Sequence, residues 1–573
     1  MASSSRSSLV IRACDNCKKR KVKCDSANPC ATCRISHLAC HYTSVPKRRG
    51  PRGFRQRKAQ CLVPQASSPE TQQEIHQPVP EPLAEFQSEH SSPLVEGFGP
   101  LQPWQSTPAI TLIAPTEVIP IVYPPHAAYA VLDSLLQSIK DKLPSLPIVE
   151  VANSCIDLYM QYTFATAPII HEASLRSYAL NFFSGVPSPS LFEASREDQR
   201  VASMRSFTFI TALCASVSSV MPASLQPHGP ILDRPFLRAS REMLKLYEDY
   251  DLEHPNSSSL AIRCLQSTAM QHTTGKKNAA FHVVGQATLL AQSMHLYSED
   301  SILRDDAVES QLLRLNFWNL YSADNAGLSL GTRPCILHPD LFSDCMTLHP
   351  LGEPFTPLLD PNNPRYEKPY EERLLAGFHL LPRLWSSASS LLRDIKTFNK
   401  DNEDSWGRKS CIAQSYLDFV GVLDALPSWL QISSLVSNPE DNDAVSFQKR
   451  SFWMQRCTLT MTFSCLRLVI LRECIDSGLC SIMGLSEQPL AWAMKQAEMI
   501  QDFLQTFDDI PFAYHQIKGE PSVERIRRVG TILLALIQNV DNDIIKKRAN
   551  SYFERILDSL ARLNSKASEE LTC

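Results

Sequence analysis

Cys14-Asp15-Asn16-Cys17-Lys18-Lys19-Arg20-Lys21-Val22-Lys23-Cys24 is followed, after a five-residue loop, by Cys30-Ala31-Thr32-Cys33 and then by Cys40. The spacing C-x2-C-x6-C therefore occurs twice in succession. A Cys-x-x-Cys pair can place two sulfurs on one zinc, each at about 2.3 Å, while the intervening backbone turns into a helix. Each half offers three sulfurs. Two tetrahedral zinc ions need eight ligand positions, and six sulfurs fill them only if two sulfurs bridge. The symmetric choice of bridges is the first cysteine of each half, Cys14 and Cys30. Cys17 and Cys24 then complete one metal, and Cys33 and Cys40 the other. A segment this short buries little apolar surface, so metal binding must supply much of its folding free energy.

Two other uses of the cysteines are weaker. A disulfide framework suits a secreted chain, yet residues 1–13 are Ser-rich and have no long apolar core, so no secretory leader is expected. Independent zinc fingers would draw on histidines. His37 and His41 lie close to Cys40, but the six sulfurs already account for two metals, which leaves the histidines as surface or packing residues.

Charge separates this end from the remainder. Residues 1–58 hold 15 Lys and Arg against 2 Asp and Glu, a net +13; the whole chain is −4, so everything after residue 58 carries −17. A basic arm is drawn to phosphates and releases counterions on binding, so its affinity for nucleic acid falls steeply with salt. The helix expected after Cys17 carries Lys18, Lys19, Arg20, Lys21 and Lys23. A second basic run, with Lys47, Arg48 and Arg49 leading to Lys58, is broken by Gly50, Pro51 and Gly53. It suits an extended arm along a nucleic-acid backbone, and equally a nuclear-import signal.

In ligand number and spacing, and in Asp25 after the third cysteine and Pro29 in the loop between the halves, the segment resembles the binuclear zinc-cluster DNA-binding domain of fungal transcription factors. The resemblance implies two Zn²⁺ per chain on Cys14, Cys17, Cys24, Cys30, Cys33 and Cys40, with the first and fourth cysteines bridging. It implies a major-groove helix in which Arg20 and Lys21 occupy the place of the family's basic pair, with Lys21 at base edges. A cation suits guanine, whose O6 and N7 are both acceptors. The expected target is double-stranded DNA with CGG-type half-sites. Lys18, Lys19, Lys23 and Arg34 are assigned to phosphates, which orient a protein without specifying sequence.

No Lys or Arg occurs between Lys58 and Lys140, and much of that stretch is rich in Pro, Ser, Gln and Glu. A disordered linker is expected there. The family often carries a coiled coil after its zinc module, but no sustained heptad follows here. Leu132, Leu135, Leu136, Ile139 and Leu143 mark one short amphipathic helix, so a homodimer is only an open expectation. From about residue 145, long apolar-periodic segments dominate, among them 151–165, 200–221, 259–272, 278–296, 308–330, 371–396, 408–425, 447–475, 487–507 and 521–562. The expected division is a zinc module at 1–45 with two short helices, a basic arm at 46–58, a disordered linker at 59–130, and a large all-α regulatory domain at 131–573. The twelve cysteines outside the module read as reduced core residues.

Tyr159-Met-Gln-Tyr-Thr-Phe164 with Pro168-Ile-Ile-His171, and Phe317-Trp-Asn-Leu-Tyr-Ser-Ala-Asp324 running into Gly331-Thr-Arg333-Pro334, resemble the fungal-specific transcription factor middle homology region over about 145–345. Asp324 and Arg333 are expected to lock a helix end to its turn. Gln501 to Phe512 mixes acids with aromatics, and reads as an amphipathic helix ending before Pro511 rather than as an activation segment. No phosphate-binding Gly loop, H-E-x-x-H or nucleophile elbow is found, so an enzyme is not expected. Nor is a membrane span, because no run of about eighteen apolar residues is seen. Together these readings imply a nuclear zinc-dependent activator of RNA polymerase II transcription, serving one pathway such as a secondary-metabolite gene cluster and working with transcription machinery or co-regulators. The alternatives are a repressor or co-regulator acting through protein contacts, and a regulator of carbon-source use.

Overall fold

In the computed structural model of the protein, the structure describes residues 14–20, 24–25, 27, 29–35, 40–41, 125–185, 190–338, 356–398, 405–424 and 426–563. The chain divides into two units, with the break after Thr111. The first holds α1 (Asp15–Arg20) and α2 (Ala31–Ile35). Helices of one to two turns do not hold in water by themselves. What they share is a core made of Cys14, Cys17, Cys24, Cys30 and Cys33, with Cys40 packed against it. Among the described residues of this unit no larger apolar side chain is buried.

Helices are the regular structure of the second unit, and among its described residues there is no strand. Its first part runs α3 (Pro125–Lys140), α4 (Ile148–Leu158), a π-turn (Tyr159–Thr163), α5 (Glu172–Phe183), α6 (Glu197–Val220), α7 (Gly229–Lys245), α8 (Glu248–Glu253), α9 (Ser257–Thr274) and α10 (Lys277–Ser293). Then come α11 (Glu299–Ile302), α12 (Ala307–Ser329), α13 (Tyr370–Lys396), α14 (Ser405–Asp424), α15 (Ile432–Leu435), α16 (Asp443–Ser477), α17 (Pro489–Asp508), α18 (Phe512–Lys518), α19 (Glu520–Asn539) and α20 (Asp543–Leu563). Helix α6 is the hub of the first group and packs on α7 and α9; α16 is the hub of the second, against α13, α17 and α19. Contacts made by α12, by the π-turn and by α18 on α6 join the groups. Helix α12 touches α9, α10 and α13, and the π-turn lies on α16.

Sequence chemistry explains the helix ends. Asn256 accepts the Ser259 N–H at 3.2 Å while the Ser259 hydroxyl accepts the Asn256 N–H at 3.1 Å, a reciprocal box that starts α9. Gly275, at φ 71°, ends it in the left-handed conformation that a side chain resists. A buried charge network then ties α6, α8 and α9 together. Asp251 accepts Arg205 Nε at 2.9 Å, the Ser259 hydroxyl at 2.7 Å and Arg263 Nη1 at 2.6 Å. Asp251 is fully buried and Arg263 is 1% exposed, so each charge depends on the others.

Several elements differ from their expected form. The helix expected over 151–165 changes pitch at Tyr159. The wider π-turn leaves backbone carbonyls free, and α16 supplies donors: the Ser451 hydroxyl reaches Gln161 O at 2.7 Å and Gln455 Nε2 reaches Ala165 O at 2.8 Å. The segment 521–562 is two helices, because Asn542 accepts the Ile544 and Ile545 N–H groups and restarts the chain as α20. Helix α7 was not singled out by periodicity. Pro230 is harmless in its first turn, but Pro235 within it reads as a breaker. Contrary to the expectation that no apolar run could span a membrane, α6 is long and apolar enough to cross one. Most of that run is buried against protein, and α7 and α9 cover it.

Helix α3 buries Leu132, Leu135 and Ile139 with Ala128. In α17 Phe503, Leu504 and Phe507 are buried and the helix ends at Asp508, as expected of a core helix. Of the cysteines beyond the module, Cys155, Cys214, Cys264, Cys457, Cys465, Cys474 and Cys480 are buried free thiols, Cys335 is half-buried and Cys411 exposed. The basic arm at 46–58 and residues 59–124 of the expected linker lie outside the described residues, whereas 125–130, also assigned to the linker, form the start of α3.

Candidate metal centre and nucleic-acid face

The sulfurs of Cys14, Cys17, Cys24 and Cys30 form one compact quartet, and those of Cys14, Cys30, Cys33 and Cys40 a second. Cys14 and Cys30 belong to both. A tetrahedral zinc with bonds of about 2.3 Å sets its sulfurs about 3.8 Å apart. Here Cys14–Cys30 is 3.7 Å, Cys17–Cys30 3.6 Å and Cys14–Cys33 3.5 Å. The donor set is all thiolate sulfur, which suits zinc.

Backbone hydrogen bonds hold the six sulfurs in this arrangement, and they repeat between the halves. The Cys17 N–H donates to Cys14 Sγ at 3.4 Å, and the Cys33 N–H to Cys30 Sγ at 3.4 Å. The Cys14 N–H donates to Cys24 Sγ at 3.4 Å, and the Cys30 N–H to Cys40 Sγ at 3.3 Å. Each helix start is tied to the residue after the other half's last cysteine. Asp25 Oδ2 accepts the Ala31 N–H at 3.0 Å, and His41 O accepts the Asp15 N–H at 2.9 Å. The Ala31 N–H, with smaller help from the Ala27 N–H and Arg34, holds the Asp25 carboxyl below the usual range. His41 thus serves through its carbonyl.

The thiols compete for charge. The Cys17 N–H leads in holding Cys14 down to about 6, while burial leads in pushing Cys17 up to about 12. A dication at the centre of each quartet favours the thiolate at every ligand.

Helix α1 presents Lys18 and Lys19 to solvent beside buried Cys17, and α2 presents Arg34. Arg20 closes α1. Lys21, Lys23, Lys47, Arg48 and Arg49 lie outside the described residues.

In the second unit, Asp324 and Arg333 both fasten the end of α12 to the following turn, but not by pairing with each other. Asp324 Oδ2 accepts the Ile336 and Leu337 N–H groups at 2.7 and 2.8 Å and the Cys335 thiol at 3.0 Å. Arg333 donates to Ala323 O at 2.5 Å and lies 4.6 Å from the Phe281 ring centre. Its side chain crosses α12 where Gly327 leaves no Cβ in its way.

A zinc-stapled module with a cationic helix defines a class, the metal-dependent nucleic-acid reader. Residues 12–49 match the fungal Zn(2)-Cys(6) binuclear cluster domain, a family that binds two zinc ions and DNA. The chain is similar to a maltose fermentation regulatory protein of Saccharomyces cerevisiae, 39% identical over 62 residues, 10% of this chain and 13% of the relative. It is 49% identical to the quinic acid utilization activator of Emericella nidulans over 47 residues, 8% of this chain and 6% of the relative. A C6 finger domain transcription factor of Aspergillus fumigatus is 34% identical over 87 residues, 15% of this chain and 11% of the relative. These alignments span a small fraction of the relatives' length. The family is one of transcription regulators, not enzymes.

Proposed function

We propose that this chain is a nuclear, sequence-specific DNA-binding regulator of RNA polymerase II transcription, an activator dedicated to one pathway. The observation that carries the reading is the pair of four-sulfur quartets sharing Cys14 and Cys30 beside a helix that exposes Lys18 and Lys19. In this reading the six cysteines hold two zinc ions. Arg20 and Lys21 reach base edges of CGG-type half-sites, and Lys18, Lys19, Lys23 and Arg34 hold phosphates. Residues 46–58, with Lys47, Arg48 and Arg49, track the DNA backbone and direct nuclear import. The helical domain at 131–573 carries the regulatory function, joined to the module by the linker at 59–130.

A second reading, regulation of carbon-source use rather than of a secondary-metabolite cluster, is favoured by the names of the maltose and quinic acid relatives. Genome-wide binding in the native host separates the two by the genes bound. Selection of bound duplexes from a randomised pool tests the main reading. Zinc-loaded full chain is expected to enrich CGG-type triplets, and Lys21→Ala to relax base preference more than Lys47→Ala. No enrichment, or equal and sequence-independent losses in the two variants, overturns it.

A further inference from the structure

A cavity of about 320 Å³ lies inside the helical unit, where the π-turn, α6, α9, α12, α13, α16 and the turn from α18 into α19 meet. Its volume is at the lower end of the range that holds small organic ligands. Trp385, Met454, Leu381 and Val217 give it apolar walls, and hydroxyls such as Thr163 and Ser322 interrupt them.

Three cations line this space, Arg333, Lys518 and Arg525, against one acid, Glu524. Arg525 is buried, whereas Arg333 and Lys518 are half-buried; the most deeply buried arginines are treated differently. Arg263 and Arg314, each 1% exposed, reach Asp251 and Glu299 at 2.6 and 2.5 Å. Arg525 is 6% exposed and donates to the Pro521 carbonyl at 2.8 Å instead of to an acid; its Nε lacks a hydrogen-bond partner, as do the Nε atoms of Arg263 and Arg314. Arg333 likewise donates to a backbone carbonyl and keeps an unpartnered Nε. Lys518 donates only to the Thr166 hydroxyl, at 3.3 Å. Among the described residues no carboxylate lies within ion-pair distance of these three groups. Burial, and then Arg525 beside it, hold the Lys518 amine down to about 8. Buried cations left without an acid are costly, and proteins keep them where a ligand brings the missing charge.

The turn bearing these groups is fixed in place. Gly519, at φ 63°, joins α18 to α19, and a Cβ there would overlap the His272 ring of α9. Gly519 thus lets Lys518 and the start of α19 pack closely against α9.

We propose that this cavity binds a small organic acid, a carboxylate carried on an apolar or aromatic body, with Lys518 and Arg525 holding the carboxylate and Trp385 and Met454 the body. The site stands independently of what the N-terminal module binds. Its occupant would join the π-turn, α12 and α16, elements that connect the two helical groups, so it would bias how those groups pack.

The test uses zinc-loaded full chain and, as probes, 2-naphthoate, its neutral isostere 2-naphthamide, benzoate and hexanoate. Calorimetric titration and thermal melting are the readouts. At least one of the acids is expected to bind saturably and raise the melting temperature, with naphthamide at least about tenfold weaker than naphthoate. Lys518→Gln is expected to weaken the acid about tenfold or more while melting no lower than wild type, because the amine leaves no acid behind. Arg525→Gln is expected to weaken it likewise, and Lys518→Gln decides alone if Arg525→Gln does not fold. Absence of saturable binding by all three acids at millimolar concentration overturns the proposal. So does equal binding of naphthoate and naphthamide, or wild-type affinity in Lys518→Gln. DNA binding in the same preparations reports on the module separately.

Discussion

Replacing Cys14 and replacing Cys17 should do different things to the metal content, although both are buried cysteines three residues apart in the same motif. Cys14 belongs to both quartets and Cys17 to one. Cys17→Ala leaves Cys14, Cys30, Cys33 and Cys40 as a complete four-sulfur site. Cys14→Ala leaves three sulfurs at each. A structural zinc contributes about 10–16 kcal/mol at neutral pH, comparable with the entire stability of an ordinary domain. The module's described core is cysteine alone, so nothing apolar offsets the loss. Full-length protein, purified with zinc and dialysed against a weak chelator, is assayed for zinc per chain by emission spectrometry. The family's two zinc ions are expected in wild type, one in Cys17→Ala and none in Cys14→Ala. Cys33→Ala should follow Cys17→Ala, and Cys30→Ala should follow Cys14→Ala. Equal zinc retention in the Cys14 and Cys17 variants would refute shared ligation.

Other consequences are measurable. Lys19→Ala should reduce the slope of log affinity against log salt by about 0.9 without changing the preferred triplet, as read by fluorescence anisotropy; a changed triplet would move Lys19 to the bases. Asp251→Ala strands Arg263 and Arg205 and should cost the helical unit about 3–5 kcal/mol in urea unfolding followed at 222 nm; a loss under about 1 kcal/mol would mean that water or another group satisfies them. Burial leads in holding the His515 imidazole down to about 4, against about 6.5 in an unfolded chain. The unfolded state therefore binds more protons between those values, and this contribution to stability is complete above pH 6.5 and lost as pH falls toward 4. Wild type should lose more stability than His515→Gln across that window, and parallel pH profiles would exclude His515 as the cause.

The zinc module was legible because its information is local. Ligands, spacing and the helix-starting turn all lie within a few dozen residues, and thiolate chemistry leaves few other uses for them. The helical character of the remainder was legible in its apolar periodicity. The π-turn was not, since five residues of wider pitch carry the same apolar pattern as an α-helix, and the reason for them, donors from Ser451 and Gln455, lies about 290 residues downstream. The expectation that Asp324 and Arg333 lock a helix end to its turn named the residues but not their partners, which are the Ile336 and Leu337 N–H groups and the Cys335 thiol for Asp324 and the Ala323 carbonyl for Arg333. The cavity was invisible because Tyr159, Arg333, Trp385, Lys518 and Arg525 come from segments with no shared motif. Buried cations carry no sequence mark that separates them from solvated ones.

The mirrored hydrogen bonds of the two C-x2-C-x6-C halves make α1 and α2 near-equivalent scaffolds, each pinned by the residue that follows the opposite half's last cysteine. What differs is the load placed on them. Helix α1 carries Lys18, Lys19 and Arg20 where α2 carries Arg34. Grafting the Lys18-Lys19-Arg20 cluster onto α2 would ask whether the frame can be read from its other side.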